Sequence, residues 1–177
     1  MLRIAITLPD AISGEVAIVR RLLSDGFDIF HLRKPNANIE YCRQLLAQLT
    51  DAERSRIVVH DYYALYEEFG LRGVHLNRNI ESLPSDYRGS RTRSCHSLEE
   101  VVRHKEEVDY LFLSPIFDSI SKVGYRSAFT HDELRRAADE RIIDSRVIAL
   151  GGVTADKIPY LESLGFGGVA MSGAIYK

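Results

Sequence analysis

The sequence holds only two cysteines, Cys42 and Cys95, too few and too far apart for a disulfide framework or a cysteine-rich metal site. Both are expected as reduced thiols. The apolar run at the amino terminus, Leu2 to Leu8, stops at Pro9, well short of the about 20 residues that cross a bilayer and of a secretory core. No membrane association and a cytoplasmic location are therefore expected. Nor is there a surplus of positive charge: 23 Lys and Arg face 25 Asp and Glu, a formal net charge of -2. Duplex binding needs a concentrated basic face, so nucleic acid is not an expected partner and small molecules are. A homodimer is left open.

What is present is an ordinary globular balance, 45% hydrophobic and 27% charged residues, which excludes collagen-like, coiled-coil and disordered chains. A length of 177 residues suits one domain, residues 1–177, with a single core. Short β-branched runs alternate with amphipathic stretches along its whole length. Strands are expected at Leu2 to Leu8, Ile29 to Leu32, Ile57 to His60, Gly73 to Leu76, Arg91 to Cys95, Tyr110 to Leu113, Val147 to Leu150 and Gly168 to Met171. Apolar spacings of three and four predict helices at Glu15 to Ser24, Ile39 to Leu49, Leu98 to Lys105, Asp132 to Ala138 and Ala155 to Leu164. Such alternation means βα units on a parallel sheet.

The expected fold class is therefore α/β, a compact parallel (β/α)8 TIM barrel, with the eighth helix absent or truncated because the chain stops at Lys177. The stretch Asn77 to Ser90 contains Pro84 and Gly89 with little periodicity, so the helix after the fourth strand is expected to be degenerate. Eight units usually take about 250 residues, and a doubly wound open sheet is the alternative.

Residues at the carboxyl ends of barrel strands line the active site. Here they are polar: His31, Arg33 and Lys34; His60 and Asp61; His75 and Asn77; Ser94 and His96; Ser114 with Ser119, Ser121 and Lys122; Gly151 and Gly152; Ser172 and Gly173. Each taken singly reads equally as a solvated loop residue or a satisfied histidine. Gly151-Gly152 and Ser172-Gly173 would let backbone amides approach an anion, as barrels do for phosphate after strands seven and eight. In Ser114 to Lys122, two hydroxyls and an ammonium lie close in sequence and suit phosphate oxygens.

In order along nearly the whole chain, His31-Leu-Arg-Lys, Val59-His-Asp61, Gly73-Val-His-Leu76, Ser94-Cys-His96, Ser114-Pro through Ser119-Ile-Ser-Lys122 and Leu150-Gly-Gly152 resemble the thiamine phosphate synthase and thiazole tautomerase (TenI-like) superfamily. The resemblance implies a synthase that joins hydroxymethylpyrimidine diphosphate to thiazole phosphate, releases pyrophosphate and uses magnesium. On that reading Arg33, Lys34, Ser119, Ser121 and Lys122 contact pyrophosphate or the pyrimidine. Asp61 holds the metal, and Gly152 and Ser172 lie near the thiazole phosphate. Lys122, His96 and Arg33 are the expected catalytic residues; His31, Lys34, His60, Ser94, Ser119, Ser121, Gly151, Gly152, Ser172 and Gly173 are expected to bind substrate.

Several positions depart from the family pattern. The lysine expected two residues after the arginine is Pro35, with Lys34 displaced by one place, and a bend at the proline would restore it. His31 stands in place of a glutamine and His60 in place of an asparagine. A second metal carboxylate expected after Gly-Val-His-Leu is missing, since Asn77 to Ile80 contains no acid. These losses point toward the sister activity, in which His96 moves protons on a thiazole carboxylate phosphate without a metal. A barrel that only binds a phosphorylated metabolite is the third reading. Helix capping is the structural alternative for Asp61 and, with packing, for His96.

Overall fold

The computed structural model describes residues 1–77, 83–118 and 127–176. Eight strands, β1 (Leu2–Ile6), β2 (Ile29–Leu32), β3 (Ile57–Val59), β4 (Gly73–Leu76), β5 (Ser90–Cys95), β6 (Tyr110–Leu113), β7 (Val147–Leu150) and β8 (Gly168–Met171), follow one another around a closed barrel. The paired strands run parallel. That closure replaces the open-sheet alternative. Strands buried on both faces of a parallel sheet read as short, nearly continuous apolar runs. Tyr110–Leu113 and Gly168–Met171 are buried throughout.

Helices α1 (Glu15–Ser24), α2 (Ile39–Ala47), α3 (Asp51–Arg54), α4 (Ala64–Phe69), α5 (Leu98–His104), α6 (His131–Asp139) and α7 (Ile158–Ser163) fall between strands. The two helices the periodicity does not reach, α3 and α4, have 4 and 6 residues, too few for a repeat of 3.6 to stand out. Thr50 and Glu53 form a capping box that starts α3. Residues 83–89 have turns and no helix, in line with the degenerate connection expected there. After β8 the chain makes a 3-10 turn, Gly173–Ile175, and no α-helix follows among the described residues.

The chain divides into two compact units, Ala5–Arg91 on one side and Met1–Ile4 with Thr92–Lys177 on the other. In the first, Ile29, Phe30, Leu46, Ile57 and Leu65 are essentially inaccessible; in the second, Leu111, Phe112, Leu113, Ile148 and Leu161 are. Each such side chain contributes about 1.5–3 kcal/mol by leaving water. No helix among the described residues is long and apolar enough to cross a membrane.

Candidate active site

In the unit Ala5–Arg91 the polar strand ends are built around one buried ion pair. Lys34 Nζ lies 2.7 Å from Glu15 Oε1, with the two side chains 0% and 1% exposed. It also donates to the carbonyls of Leu8 and Asp10. All three ammonium hydrogens thus have acceptors inside the protein, as a buried cation requires. The bend at Pro35 does not return Lys34 to the face of Arg33: Lys34 is buried and Arg33 is exposed. The one-residue displacement read in the sequence therefore places the two cations in different environments.

Tyr41 completes this group. Its hydroxyl donates to Glu15 Oε2 at 2.6 Å and accepts from the Ile12 amide. Burial, together with the Glu15 carboxylate, pushes its pKa up to about 12. Glu15 and Tyr41 were not foreseen from the motifs. A signal existed for Glu15, which shares the buried stripe of α1 with Val19 and Leu22.

Arg33 is anchored through its backbone, whose N–H and carbonyl both bond the Thr7 hydroxyl. Asp61 Oδ2 accepts the Lys34 amide at 3.1 Å. Asp61 does not cap α4, whose N-cap is Tyr63 without a side-chain bond. Instead it lines a cleft of about 430 Å³ with Pro35, His60, Tyr62, Tyr63 and Asn77. Beside it His31 Nδ1 and His60 Nε2 are 2.8 Å apart. Burial, then neighbouring histidines, with Arg72 acting on His31 and Arg33 on His60, hold both rings well below the usual histidine range, so they are neutral at pH 7.

The second unit has a different construction. His96 is exposed, with Nδ1 3.0 Å from the Ser114 carbonyl. A carbonyl only accepts, so Nδ1 donates in this contact. Helix capping at α5 falls to Ser97, which accepts from the Glu100 amide, and this removes that alternative for His96. Gly151 and Gly152 have φ of 96° and 62°. A Cβ on Gly152 would stand 2.2 Å from the Asp118 carbonyl oxygen, and one on Gly151 would stand 2.8 Å from Pro115 Cα. Both the left-handed backbone and this close approach demand glycine. Lys157, which the motifs also did not single out, donates to the Gly152 carbonyl and lies 4.5 Å from the Phe117 ring centre.

Ser94 is the penultimate residue of β5, before Cys95, and Ser172 with Gly173 leads into the 3-10 turn after β8. Ser119, Ser121 and Lys122 lie outside the described residues.

A closed parallel barrel with polar residues at its strand ends defines an enzyme scaffold of the (β/α)8 kind. Residues 4–175 match the family described as thiamine monophosphate synthase (TMP-TENI), and the chain belongs to that family. It is 29% identical over 171 residues to the thiamine-phosphate synthase of Photorhabdus laumondii, covering 92% of this chain and 79% of that protein. The crystal structure of thiamine phosphate pyrophosphorylase from Bacteroides thetaiotaomicron superposes with a TM-score of 0.89 at 40% identity, over 99% of this chain and 85% of that one. Thiamine phosphate pyrophosphorylase from Pyrococcus furiosus shares the fold, with a TM-score of 0.72 at 23% identity.

Proposed function

We propose that this protein is a thiamine phosphate synthase, a transferase that joins hydroxymethylpyrimidine diphosphate to thiazole phosphate and releases pyrophosphate. The observation that carries the reading is the 40% identity to a thiamine phosphate pyrophosphorylase along 99% of the chain. In the reaction the carbon–oxygen bond to the diphosphate breaks and a bond to the thiazole forms. The residues must therefore favour negative charge on the leaving group and keep water from the cationic carbon.

In this proposal Arg33, exposed on a backbone pinned by Thr7, faces the diphosphate, together with Ser119, Ser121 and Lys122 of the family pattern. Lys34 acts differently from the expectation drawn from its sequence. With its ammonium bonded to Glu15, Leu8 and Asp10, it positions the segment between Arg33 and Asp61 and does not touch substrate. Ser94, Gly151, Gly152, Ser172 and Gly173 bind the remaining polar groups of the two substrates, Gly152 and Ser172 on the thiazole phosphate.

The donor set at Asp61 fits magnesium, which keeps several waters and needs only one or two carboxylates when phosphate oxygens are present. Asp61 has one oxygen on the Lys34 amide and borders a cleft with space for a diphosphate. When bound there, magnesium would supply positive charge to the departing diphosphate. The same reading has the whole chain acting as one catalytic domain in the cytoplasm.

One observation favours the sister tautomerase activity: the exposed His96 ring is oriented by the Ser114 carbonyl, which Nδ1 faces at 3.0 Å. Two variants separate the readings. For a synthase, Asp61→Asn raises the magnesium requirement and slows pyrophosphate release at least about tenfold, while His96→Ala has the smaller effect. For a tautomerase, His96→Ala abolishes isomerisation of the thiazole carboxylate phosphate and Asp61→Asn leaves it intact. The synthase reading fails if Asp61→Asn releases pyrophosphate at the wild-type rate with the wild-type magnesium dependence.

A further inference from the structure

His31, His60 and His75 come together through strand register. His31 pairs with Val58, and Val59 pairs with Val74; one step on, His60 falls beside His75. Residues two apart share a face of a strand, so the three imidazoles project on the same side of the sheet. The His60 and His75 rings stack with centroids 4.0 Å apart and planes 13° apart. His31 meets both edge-on, at 5.0 and 5.7 Å. One ring nitrogen from each lies within 4.8 Å of the other two. His31 and His75 are buried, while His60 is partly exposed and borders the cleft.

We propose that His31, His60 and His75 form a binding site for a divalent transition-metal ion of the zinc class, with a fourth coordination position opening at His60 toward the cleft. The donor chemistry decides the class of ion. Three imidazole nitrogens suit zinc, copper or nickel, and three histidines with one open position are a recurring zinc arrangement. Nitrogens at about 2.0–2.1 Å from a tetrahedral ion stand about 3.3 Å from one another. That separation falls between the 2.8 Å of the His31–His60 contact and the 4.8 Å limit of the cluster. Because an ion lies in the plane of each imidazole that binds it, the His60–His75 stack has to open by rotation of one ring on binding. The nearby charges of Arg33 and Arg72, which act on these rings, oppose any cation held by charge alone. Selection against magnesium and calcium comes from the donors, since those ions prefer oxygen and imidazole nitrogen suits the transition metals. Asp61, an oxygen donor, belongs to the magnesium site proposed above and is not a ligand of this one.

The test is metal binding by the untagged 177-residue chain, stripped with a chelator and titrated with zinc chloride against a chromophoric competitor. One equivalent of zinc is expected, and cobalt(II) in its place should give the intense visible absorption of a four-coordinate ion. His31→Gln and His75→Gln should each weaken zinc binding by at least about 100-fold, the upper end of the loss caused by removing even an outer-shell partner. Asp61→Asn, and His131→Asn on an exposed ring, should leave the stoichiometry at one. If either cluster variant fails to fold, the wild type still decides, through the cobalt spectrum and a rise in melting temperature with zinc. Failure to bind zinc, equal affinity in the cluster variants, or the weak absorption of six-coordinate cobalt would overturn the proposal. None of these readouts uses the synthase substrates, so failure here is distinguishable from failure of that assignment.

Discussion

The two units of the barrel build their strand-end chemistry by different means. In Ala5–Arg91 it depends on buried side chains: Lys34 on Glu15, Tyr41 on Glu15, and three packed imidazoles. In the unit containing Thr92–Lys177 it depends on backbone shape, with Gly151 and Gly152 against Pro115 to Asp118 and His96 oriented by a carbonyl. The contrast teaches where each unit is vulnerable. The first should fail when a buried charge loses its partner, and the second when a Cβ is added.

The largest effect is expected at the ion pair. Lys34→Met leaves the Glu15 carboxylate buried without its cation and should lower unfolding free energy by about 3–5 kcal/mol in urea melts. The double variant Lys34→Met with Glu15→Leu removes both charges and should regain much of that loss, because well-packed apolar replacements of buried pairs are often neutral. A double variant as unstable as the single one would show that the carbonyls of Leu8 and Asp10 matter more than the pair.

Next comes the backbone unit. Gly152→Ala should cost about 1–3 kcal/mol for the left-handed conformation alone, with a further loss because a Cβ there meets the Asp118 carbonyl. A variant with wild-type stability would break the contrast between the units. The smallest effect sharpens a likeness instead. Burial pushes the thiols of Cys42 and Cys95 up to about 11, so at pH 8 each has roughly a hundredfold less thiolate than an ordinary thiol. Both should react slowly with a maleimide until the protein is unfolded, and rapid labelling of either in the native protein would contradict its burial.

Most strands were legible because residues buried on both faces of a parallel sheet form short apolar runs, and seven of the eight, the polar β5 among them, agree with the sequence reading to within one residue at each end. The sequence reading at β1 ran two residues past the strand end at Ile6, to the apolar Leu8. Helix α3 was hidden by its brevity, while the short α4 entered the sequence reading only as the helix that Asp61 would cap. At the site, the order of polar strand ends could be read, but the burial of Lys34 could not. It depends on Glu15, 19 residues earlier, and no local pattern records that contact. The histidine cluster was visible only as three separate strand-end residues. Bringing them together requires the register of β2, β3 and β4, which sequence alone leaves unspecified.

The most direct test of the central claim is a single assay of the purified chain with hydroxymethylpyrimidine diphosphate, thiazole phosphate and magnesium. Pyrophosphate and thiamine phosphate should appear in equal amounts, with no release when either organic substrate is omitted and little when magnesium is chelated. Absence of thiamine phosphate under these conditions, in a chain that is folded by its melting curve, would contradict the assignment.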